Sequence, residues 1–359
     1  MTAMAAPRPE TPAARPAGYA VPNVALRGVV CAVPERVVAN DAFFTRFGEE
    51  SVRDVVKMIG VETRHWVAEG GTTSDLCLAA ARRLLERLDW AAASIDALIF
   101  VSQTPDQRLP ATACVLQGEL GLSTRCLAFD VGLGCSGYVY GLWLASAMIS
   151  AGCRRVLLLA GDTSSRMVDP ADRGTALLFG DAGSASAIEF SPGAPAIHFV
   201  LGSDGAGAAN LMVQAGGFRP PAPDARRPEG RSPEHLFMDG GEVFAFTLRA
   251  VPALVADTLA DAGRTAEEVD LYLLHQANRF MLRHLAKKIG APNERVPINI
   301  DQYGNTSSAS IPLLLTTSVA ERVTGAPARV LMAGFGVGYS WGSALIDLAA
   351  LACAETITA

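Results

Sequence analysis

The segment from Leu127 to Ser150 constrains the fold of this chain more than any other. Leu127 to Val131 is an apolar run typical of a buried strand, and Gly132 and Gly134 predict a tight turn after it. From Tyr138 to Ser150 the side chains are apolar on nearly every face of a helix. The sequence therefore predicts a helix that is buried on all sides.

Cys135 stands where that helix starts, directly after the glycine turn. The first turn of a helix carries unpaired N–H groups and a partial positive charge, which favour a thiolate over a thiol. Cys135 is therefore a candidate nucleophile. An unreactive core cysteine is the alternative, and it is the more frequent case in apolar segments.

Two further segments carry polar side chains at places suited to catalysis. Leu271 to Leu274 predicts a strand that delivers His275 to its C-terminal end, where ligands bind in open α/β sheets. A polar loop before another apolar helix carries Asn305. Separately, they could be a strand-end histidine and an ordinary turn or cap residue. Together with Cys135 they supply a nucleophile, a proton donor or acceptor and an amide donor, as acyl-thioester chemistry requires.

The chain has 359 residues, 50% of them hydrophobic, enough for a large core in two domains or pseudo-domains. Strands alternate with helices in residues 21–195 and again in 196–359, which predicts an α/β fold of mostly parallel sheets covered by helices. Residues 308–323 read as one helix. Residues 1–20, rich in Ala and Pro, predict a mobile tail, and residues 216–234, rich in Pro and Arg, predict a surface excursion.

Composition excludes several classes of function. A net charge of −6 without a basic, aromatic-interleaved run argues against nucleic-acid binding. No segment reaches the roughly 18 uninterrupted apolar residues of a membrane span, so a soluble protein is expected. The seven cysteines lack paired or metal-binding spacing, which predicts no metal site and suits free thiols in a reducing cytoplasm.

Six motifs occur in order along the chain. They are Gly60-Val61-Glu62-Thr63-Arg64; Gly134-Cys135-Ser136-Gly137; Asp172-Arg173-Gly174-Thr175 with Phe179-Gly180-Asp181-Ala182-Gly183; His275-Gln276-Ala277-Asn278; Gly304-Asn305-Thr306-Ser307; and Gly334-Phe335-Gly336-Val337-Gly338-Tyr339-Ser340-Trp341-Gly342-Ser343. In order and spacing the chain resembles the β-ketoacyl-[acyl-carrier-protein] synthases III of the thiolase superfamily. The resemblance implies a thiolase-like fold, in which two similar βα halves form a five-layered αβαβα sandwich. The N-terminal half would carry the cysteine, and the C-terminal half the histidine and asparagine.

The reaction that the resemblance implies is a decarboxylative Claisen condensation. Cys135 would take the acyl group of an acyl-coenzyme A primer, and malonyl-acyl-carrier protein would lose CO₂ and attack the acyl-cysteine. His275 and Asn305 would stabilise the enolate, and the backbone N–H groups of Cys135 and Val337 would form the oxyanion hole. No cofactor is expected, because coenzyme A enters only as the thioester substrate.

The resemblance also implies binding roles for other residues. The expected substrate or coenzyme A contacts are Arg173, Asn278, Leu109 and Phe335. The expected carrier-protein docking residues, on the helix after His275, are Arg279, Arg283, Lys287 and Lys288. A basic helix face is more often simply solvated, but an acidic carrier protein would be steered to it. A homodimer is also implied.

Four positions depart from the family pattern. Asp54 and Met58 stand where many members carry a Trp and an Arg that enclose the adenine of coenzyme A, so the primer is expected to be anchored differently or delivered by a carrier protein. Leu109 stands where some members have an aromatic gate, which favours a primer longer than acetyl. Val337 replaces a frequent glycine, which a backbone donor tolerates at negative φ.

Alternatives remain within the same superfamily. A related acyltransferase that moves an acyl group to a hydroxyl or amine keeps much the same residues. A non-catalytic partner subunit is a weaker alternative, because all three catalytic residue types are present. A thiolase would need a second catalytic cysteine in the C-terminal glycine loop, where this chain has Ser340. A type III polyketide synthase would usually be longer and would lack the basic helix.

Overall fold

The computed structural model describes residues 18–222, 225–228 and 230–359. Within these ranges the strands are β1 (Tyr19–Val21), β2 (Val24–Val33), β3 (Val37–Ala39), β4 (Thr63–His65), β5 (Ala97–Val101), β6 (Leu127–Val131), β7 (Arg155–Thr163), β8 (Asp181–Phe190), β9 (Ile197–Ser203), β10 (Leu211–Val213), β11 (Leu236–Met238), β12 (Leu271–Leu274), β13 (Ala328–Gly336), β14 (Ser340–Leu348) and β15 (Cys353–Thr358). The α-helices are α1 (Phe44–Phe47), α2 (Glu49–Ile59), α3 (Thr73–Leu88), α4 (Thr112–Glu119), α5 (Gly137–Ser150), α6 (Arg173–Ala176), α7 (Gly240–Asp261), α8 (Arg279–Lys288), α9 (Ile300–Tyr303), α10 (Ser310–Thr316) and α11 (Ala320–Gly325).

Most strands belong to two large sheets. One sheet has the order β15-β2-β8-β7-β5-β6, and the other has the order β1-β9-β14-β13-β12. β5 is parallel to both of its neighbours, but β8 and β14 are each antiparallel to both of theirs. The expectation of mostly parallel sheets therefore holds for the first sheet, where three of five strand pairs are parallel, and is wrong for the second, where one of four is. Between β13 and β14, for example, only the short loop 337–339 is available, and a parallel pair would need a long crossover.

Alternation of side chains along the strands divides the core into layers. On β5, Ile99 and Val101 face the core between the two sheets, whereas Leu98 and Phe100 face an outer core. Helices α3 and α4 cover that outer core, α5 and α10 fill the space between the sheets, and α7 and α8 cover the other sheet. The order helix, sheet, helix, sheet, helix confirms the predicted five-layered αβαβα fold.

The predicted helix is α5, in the central layer, but it is not buried on all sides, because Tyr140, Trp143, Leu144, Ala147 and Met148 form one half-buried stripe. It contacts both sheets, through β7 on one side and β13 on the other, and Val139 and Leu142 are fully buried. Burial of each large apolar side chain contributes roughly 2 kcal/mol to folding. The hydroxyl of Tyr138 lies 3.0 Å from Ser186 Oγ, so the one phenol buried at its start is hydrogen-bonded.

The first and the last described strands each pair with a strand of the other predicted half. β1 pairs with β9 in the second sheet, and β15 pairs with β2 in the first. Sheet membership therefore does not follow the boundaries 21–195 and 196–359 at the chain ends. Of the predicted tail, residues 1–17 lie outside the described residues, and Tyr19 and Ala20 belong to β1 because their backbone pairs with His198 and Phe199.

The helix predicted over residues 308–323 is divided in two. α10 ends at Thr316, and α11 begins at Ala320. The Thr316 hydroxyl bonds back to the carbonyl of Pro312, and the Thr317 hydroxyl bonds back to that of Leu313. Threonine side chains that compete for helix carbonyls in this way weaken the helix, and Thr317 leaves the helical region at ψ −83°.

Among the described residues one helix, α7, is long and apolar enough to cross a membrane by length and composition. Its side chains Phe246, Val251 and Leu254 pack into the core cluster that also contains Tyr272 of β12. α7 is thus a covering helix of the second sheet.

Candidate active site

Cys135 lies in the turn between β6 and α5. β6 ends at Val131, and α5 begins at Gly137, with Ser136 preceding it. On the other side, β13 passes so close that a Cβ on Gly336 would lie 2.8 Å from Cys135 Cβ and 3.0 Å from its Sγ. Glycine at position 336 is therefore required by the close approach of the two segments.

The pKa of Cys135 is raised to about 11, not lowered as the sequence analysis predicts. Burial is the largest cause; the Ser307 hydroxyl opposes it, and the charge of Asp162 adds to it. The expectation is wrong because α5 begins only at Gly137, so Cys135 precedes the first helical turn and desolvation of a thiolate outweighs the helix's partial charge. The thiol is protonated at neutral pH, so the attack on a thioester must release its proton.

His275 follows the last residue of β12 and continues its pairing, since its backbone N–H donates to the Ala333 carbonyl at 2.8 Å. Its ring is 2% exposed, with Nδ1 2.8 Å from Ser310 Oγ. Phe335 packs edge-on against the ring, with 5.5 Å between centroids. Burial lowers the pKa of His275 to about 3, and a hydrogen bond to the Ser307 backbone opposes this only in part. The imidazole is therefore neutral and can donate one hydrogen bond.

Asn305 lies on a loop whose backbone is hydrogen-bonded to the segment directly before β8. Its backbone N–H donates to the Leu178 carbonyl at 2.9 Å, and its carbonyl accepts from Gly180 N at 3.1 Å. The side-chain Oδ1 accepts a hydrogen bond from Ser307 N at 2.9 Å. The carbonyl end of the amide is thus fixed, and no hydrogen bond from Nδ2 to another described residue occupies the amide's donor end.

Ser307 contacts all three predicted catalytic residues. Its hydroxyl lies 3.9 Å from Cys135 Sγ, its N–H bonds to Asn305, and its backbone is hydrogen-bonded to His275. Ser307 has φ 51°, a left-handed conformation that is rare for residues other than glycine. Such conformations cost about 1–3 kcal/mol and cluster at functional sites. The structure therefore brings Cys135, His275 and Asn305 around one constrained residue, which the sequence analysis did not single out.

Two backbone groups favour negative charge on the thiol. Hydrogen bonds from the backbone of Val337 and of Cys135 itself favour the thiolate and partly counter the raised pKa of Cys135. Among described residues other than glycine, positive φ occurs at Asn23, Asp89 and Ser307, so Val337 has the negative φ that its side chain needs. The role of Cys135 and Val337 as the oxyanion hole stays a prediction.

A cavity of about 380 Å³ opens at the thiol. Its lining consists of Gln103, Cys135, Ser164, Met167, Phe179, Ala208, Leu211, Met212, Val213, Leu236, Ser307, Val337 and Gly338. Most of these side chains are apolar, and the volume falls in the range of small-molecule pockets. The strands β10 and β11, which the sequence analysis missed, contribute one wall. Short runs such as 211–213 carry too little periodicity to be found.

The residues predicted to bind the substrate or coenzyme A do not lie together at the cavity. Arg173 is exposed at the start of α6 and donates to Ser51 Oγ. Asn278 caps α8, since its Oδ1 accepts from Met281 N at 2.7 Å, which leaves only its Nδ2 for a ligand. Phe335 is 1% exposed against His275 and does not line the cavity. Leu109 is 76% exposed and also lies outside the cavity lining.

The predicted docking residues lie along α8. Arg283, Lys287 and Lys288 are exposed, whereas Arg279 is half-buried and donates to the Gly60 carbonyl at 2.9 Å. Arg279 is therefore partly committed to a contact within the protein.

At the two positions of the missing adenine clamp, Asp54 pairs with Lys57 at 2.9 Å and Met58 is 55% exposed. Neither side chain can stack on adenine as an aromatic ring and a guanidinium would. Among the described residues, no group of three or more His, Cys, Asp and Glu side chains is arranged to hold a metal ion.

The five-layered fold, a cavity lined by Cys135 and Ser307, and the contacts of His275 and Asn305 with Ser307 define a thiol-dependent acyltransferase with a thiolase-like fold. Comparison with known proteins gives the same class. Residues 129–212 match the family described as 3-oxoacyl-[acyl-carrier-protein (ACP)] synthase III, and residues 259–348 match its C-terminal family. The chain belongs to the 3-oxoacyl-[acyl-carrier-protein] synthase III family.

Individual relatives match over nearly their whole length. The chain is 39% identical to the beta-ketoacyl-[acyl-carrier-protein] synthase III of Roseiflexus castenholzii, over 90% of this chain and 97% of that protein. Among solved structures, a 3-oxoacyl-(acyl-carrier protein) synthase from Burkholderia xenovorans is 54% identical with a TM-score of 0.94, covering 96% of this chain and 99% of that one. The synthase III of Thermus thermophilus is 35% identical with a TM-score of 0.81, covering 91% and 99%.

Proposed function

We propose that this protein condenses an acyl-coenzyme A primer with malonyl-acyl-carrier protein. The products are a β-ketoacyl-acyl-carrier protein, CO₂ and free coenzyme A, and the reaction would begin the synthesis of a fatty acid or related lipid. The observation that carries the proposal is the contact of Cys135, His275 and Asn305 with one residue, Ser307, at an apolar cavity. The named activity of the relatives supports it.

In the first half-reaction, Cys135 Sγ attacks the primer's thioester carbonyl. The thiol proton leaves with the coenzyme A sulfur, so the step yields an acyl-cysteine and coenzyme A in its thiol form. The negative oxygen of the tetrahedral intermediate would be stabilised by the N–H groups of Cys135 and Val337, and the contribution of both backbones to favouring the thiolate supports this role. Because the pKa of Cys135 is raised to about 11, the proton must be transferred as the carbon–sulfur bond forms.

In the second half-reaction, the malonyl group loses CO₂ and becomes an enolate. His275 and Asn305 are the proposed donors to the enolate oxygen, and each such donor contributes roughly 3–4 kcal/mol to transition-state stabilisation. The low pKa of His275 supports this role, because a neutral imidazole keeps one N–H for donation. The enolate carbon then attacks the acyl-cysteine, and the departing Cys135 thiolate takes up a proton. No metal or redox cofactor takes part in either half-reaction.

The cavity supports a primer longer than acetyl. Met167, Leu211, Met212 and Leu236 line about 380 Å³ of space next to Cys135. Each methylene group buried against such side chains contributes about 0.8 kcal/mol to binding. A medium-length acyl chain such as octanoyl would use that space, whereas an acetyl group would leave it largely empty.

The carrier protein is proposed to approach from the side of α8. Arg283, Lys287 and Lys288 are exposed there, and none of them forms an ion pair with another described residue. Their charge would attract an acidic carrier protein. Arg173 and Asn278 are the proposed contacts for coenzyme A or its pantetheine arm.

A homodimer is proposed from the edge of the first sheet. β6 is the edge strand, Leu127 on it is 54% exposed, and Val115 on α4 beside it is 45% exposed. An unpaired edge flanked by exposed apolar side chains favours pairing with a second copy. The seven cysteines are free thiols, which supports a location in the reducing cytoplasm.

The test is intact-protein mass spectrometry with a panel of acyl-coenzyme A and acyl-carrier-protein donors, followed by malonyl-acyl-carrier protein. A mass gain on the wild-type protein that Cys135→Ala abolishes, and that malonyl-acyl-carrier protein discharges with release of CO₂, is the expected result. An acyl-enzyme that malonyl-acyl-carrier protein leaves intact would instead indicate transfer to a hydroxyl or amine acceptor.

A further inference from the structure

Asp162 on β7 is a buried carboxylate that joins separate segments around the thiol. Its side chain is 0% exposed. Oδ1 accepts a hydrogen bond from Gln103 N at 2.7 Å and another from Ser102 Oγ at 3.2 Å. Gln103 follows β5 and lines the cavity, so this oxygen fixes one wall of the site.

The second oxygen of Asp162 reaches the loop that carries Asn305. Oδ2 accepts hydrogen bonds from Ser308 N at 3.3 Å and from Ser308 Oγ at 2.9 Å. Ser308 directly follows Ser307, whose hydroxyl contacts Cys135 Sγ. One carboxylate therefore links the loop after β5 to the Asn305 loop, defined here as residues 304–308.

Stability alone gives little reason for a carboxylate at this place. No cation compensates Asp162 within the described residues, and burial raises its pKa. The titratable groups that face it are Cys77, Cys135 and Asp181, none of which carries a positive charge. Burying an uncompensated carboxylate is unfavourable, so a role beyond stability is indicated.

We propose that Asp162 is a positioning residue for the condensation. It holds the Asn305 loop against the loop after β5, so that Asn305 and Ser307 keep their positions beside Cys135. Four hydrogen bonds to two loops, all on the two oxygens of one carboxylate, give this geometry. The proposal rests on the functions proposed above for Cys135 and Asn305. Because Asn305 acts on the malonyl group, the second half-reaction depends on Asp162 more than the first.

Asp162→Asn keeps the size of the side chain but replaces one acceptor oxygen with an amide that cannot accept from Ser308 N–H. We expect malonyl-dependent discharge of the acyl-enzyme to slow by about 100-fold, the effect of displacing a catalytic group by about 1 Å. Acylation by acyl-coenzyme A and its KM should change far less. The variant should also lower the pKa of Cys135, because the charge of Asp162 raises it; the pH dependence of alkylation by iodoacetamide reports this value.

Asp181→Asn is the matched control. Asp181 is an equally buried carboxylate, but it accepts from Val67 N and Ser165 N and does not reach the Asn305 loop. The Asp181→Asn variant should lower the stability of the folded protein without selectively slowing malonyl-dependent discharge of the acyl-enzyme. Ser308→Ala removes only the hydroxyl contact and should slow discharge by about tenfold, consistent with the loss of one hydrogen bond to a charged group.

The proposal is overturned if acylated Asp162→Asn is discharged at the wild-type rate. It is also overturned if the rates of acylation and discharge fall equally in Asp162→Asn, or if Asp181→Asn shows the same selective loss of discharge. If Asp162→Asn does not fold, Ser308→Ala decides, and an unaltered rate of discharge in that variant refutes the role. Failure of the proposed function is distinct, because the wild-type protein would then not be acylated at Cys135 or not be discharged by malonyl-acyl-carrier protein.

Discussion

Ser307 Oγ lies 3.9 Å from Cys135 Sγ, and it is the side-chain hydroxyl that counters the effect of burial on the thiol. The pKa of Cys135 is nevertheless raised to about 11. Alkylation by iodoacetamide should therefore accelerate throughout the range from neutral to strongly alkaline pH, without a plateau near pH 8. Ser307→Ala should raise the pKa further and slow alkylation by roughly tenfold at a given pH. A plateau at neutral pH in the wild-type protein would contradict the prediction.

Gly336→Ala should inactivate the protein without unfolding it. The new methyl group would lie 2.8 Å from Cys135 Cβ and 3.0 Å from Sγ, so the thiol must move. We expect about a 100-fold loss of acyl-enzyme formation. Gly325→Ala is the control, since a Cβ there meets nothing within 4 Å. Equal acylation rates for the two variants would show that the Gly336 contact is unimportant.

Met212→Trp should change the primer preference. Met212 lines the cavity beside Cys135, and the larger side chain would fill space proposed for the acyl chain. Loss of about two buried methylene groups should reduce acylation by octanoyl-coenzyme A about tenfold relative to acetyl-coenzyme A. Competition between the two donors, followed by intact mass, measures the ratio. Val37→Trp, at a 55% exposed position outside the cavity lining, should leave the ratio unaltered; a strong acetyl preference in the wild-type protein would exclude the long-primer proposal.

Charge reversal on α8 should weaken the carrier-protein step alone. The double variant Arg283→Glu, Lys287→Glu replaces two exposed cations with anions. The KM for malonyl-acyl-carrier protein should rise roughly tenfold, and the increase should diminish at high salt. The rate of acylation by acyl-coenzyme A should stay near that of the wild-type protein. Arg322→Glu on α11 is the charge-matched control for each single variant, Arg283→Glu or Lys287→Glu, and an equal rise in its KM would point to net charge instead of a docking surface.

His275 should make the protein sensitive to acid. Burial lowers its pKa from 6.5 to about 3, so below pH 6.5 the unfolded chain binds a proton that the folded protein excludes. The free energy of unfolding should therefore fall as the pH decreases from 6.5 towards 3, by at most about 1.4 kcal/mol per pH unit from this group. Denaturant unfolding of His275→Asn should show a flatter dependence, whereas the exposed-site variant His284→Asn should retain the wild-type slope.

The parts of the fold that could be predicted are those with long, regular patterns. β6 and α5 begin and end close to their predicted residues because Leu127–Val131 and the apolar helix leave little ambiguity. The prediction that Leu127–Val131 is a buried strand is wrong, because β6 lies at the sheet edge with Leu127 54% exposed and its other residues half-buried. The division between α10 and α11 could not be foreseen, because it depends on hydroxyl bonds of Thr316 and Thr317. The short strands β10 and β11 pair only through tertiary contacts.

In the candidate site, too, some features could be predicted from the sequence and others could not. Cys135, His275 and Asn305 could be proposed because each follows a recognisable strand or precedes a helix. The raised pKa of Cys135 could not, because desolvation depends on every segment packed around the thiol. Asp162 reads as the end of an apolar strand, and its importance depends on loops 59 and 146 residues away in sequence.

The pairing of β15 with β2 in the first sheet also affects the nascent chain during synthesis. The first sheet is built mostly from residues that leave the ribosome early, yet β15 (Cys353–Thr358), which covers the edge of β2, is translated after every other described strand. Until then the β2 edge offers unpaired backbone groups to any other extended chain. A nascent or truncated chain that stops before Cys353 should therefore be prone to aggregation even though every predicted catalytic residue has already been synthesised.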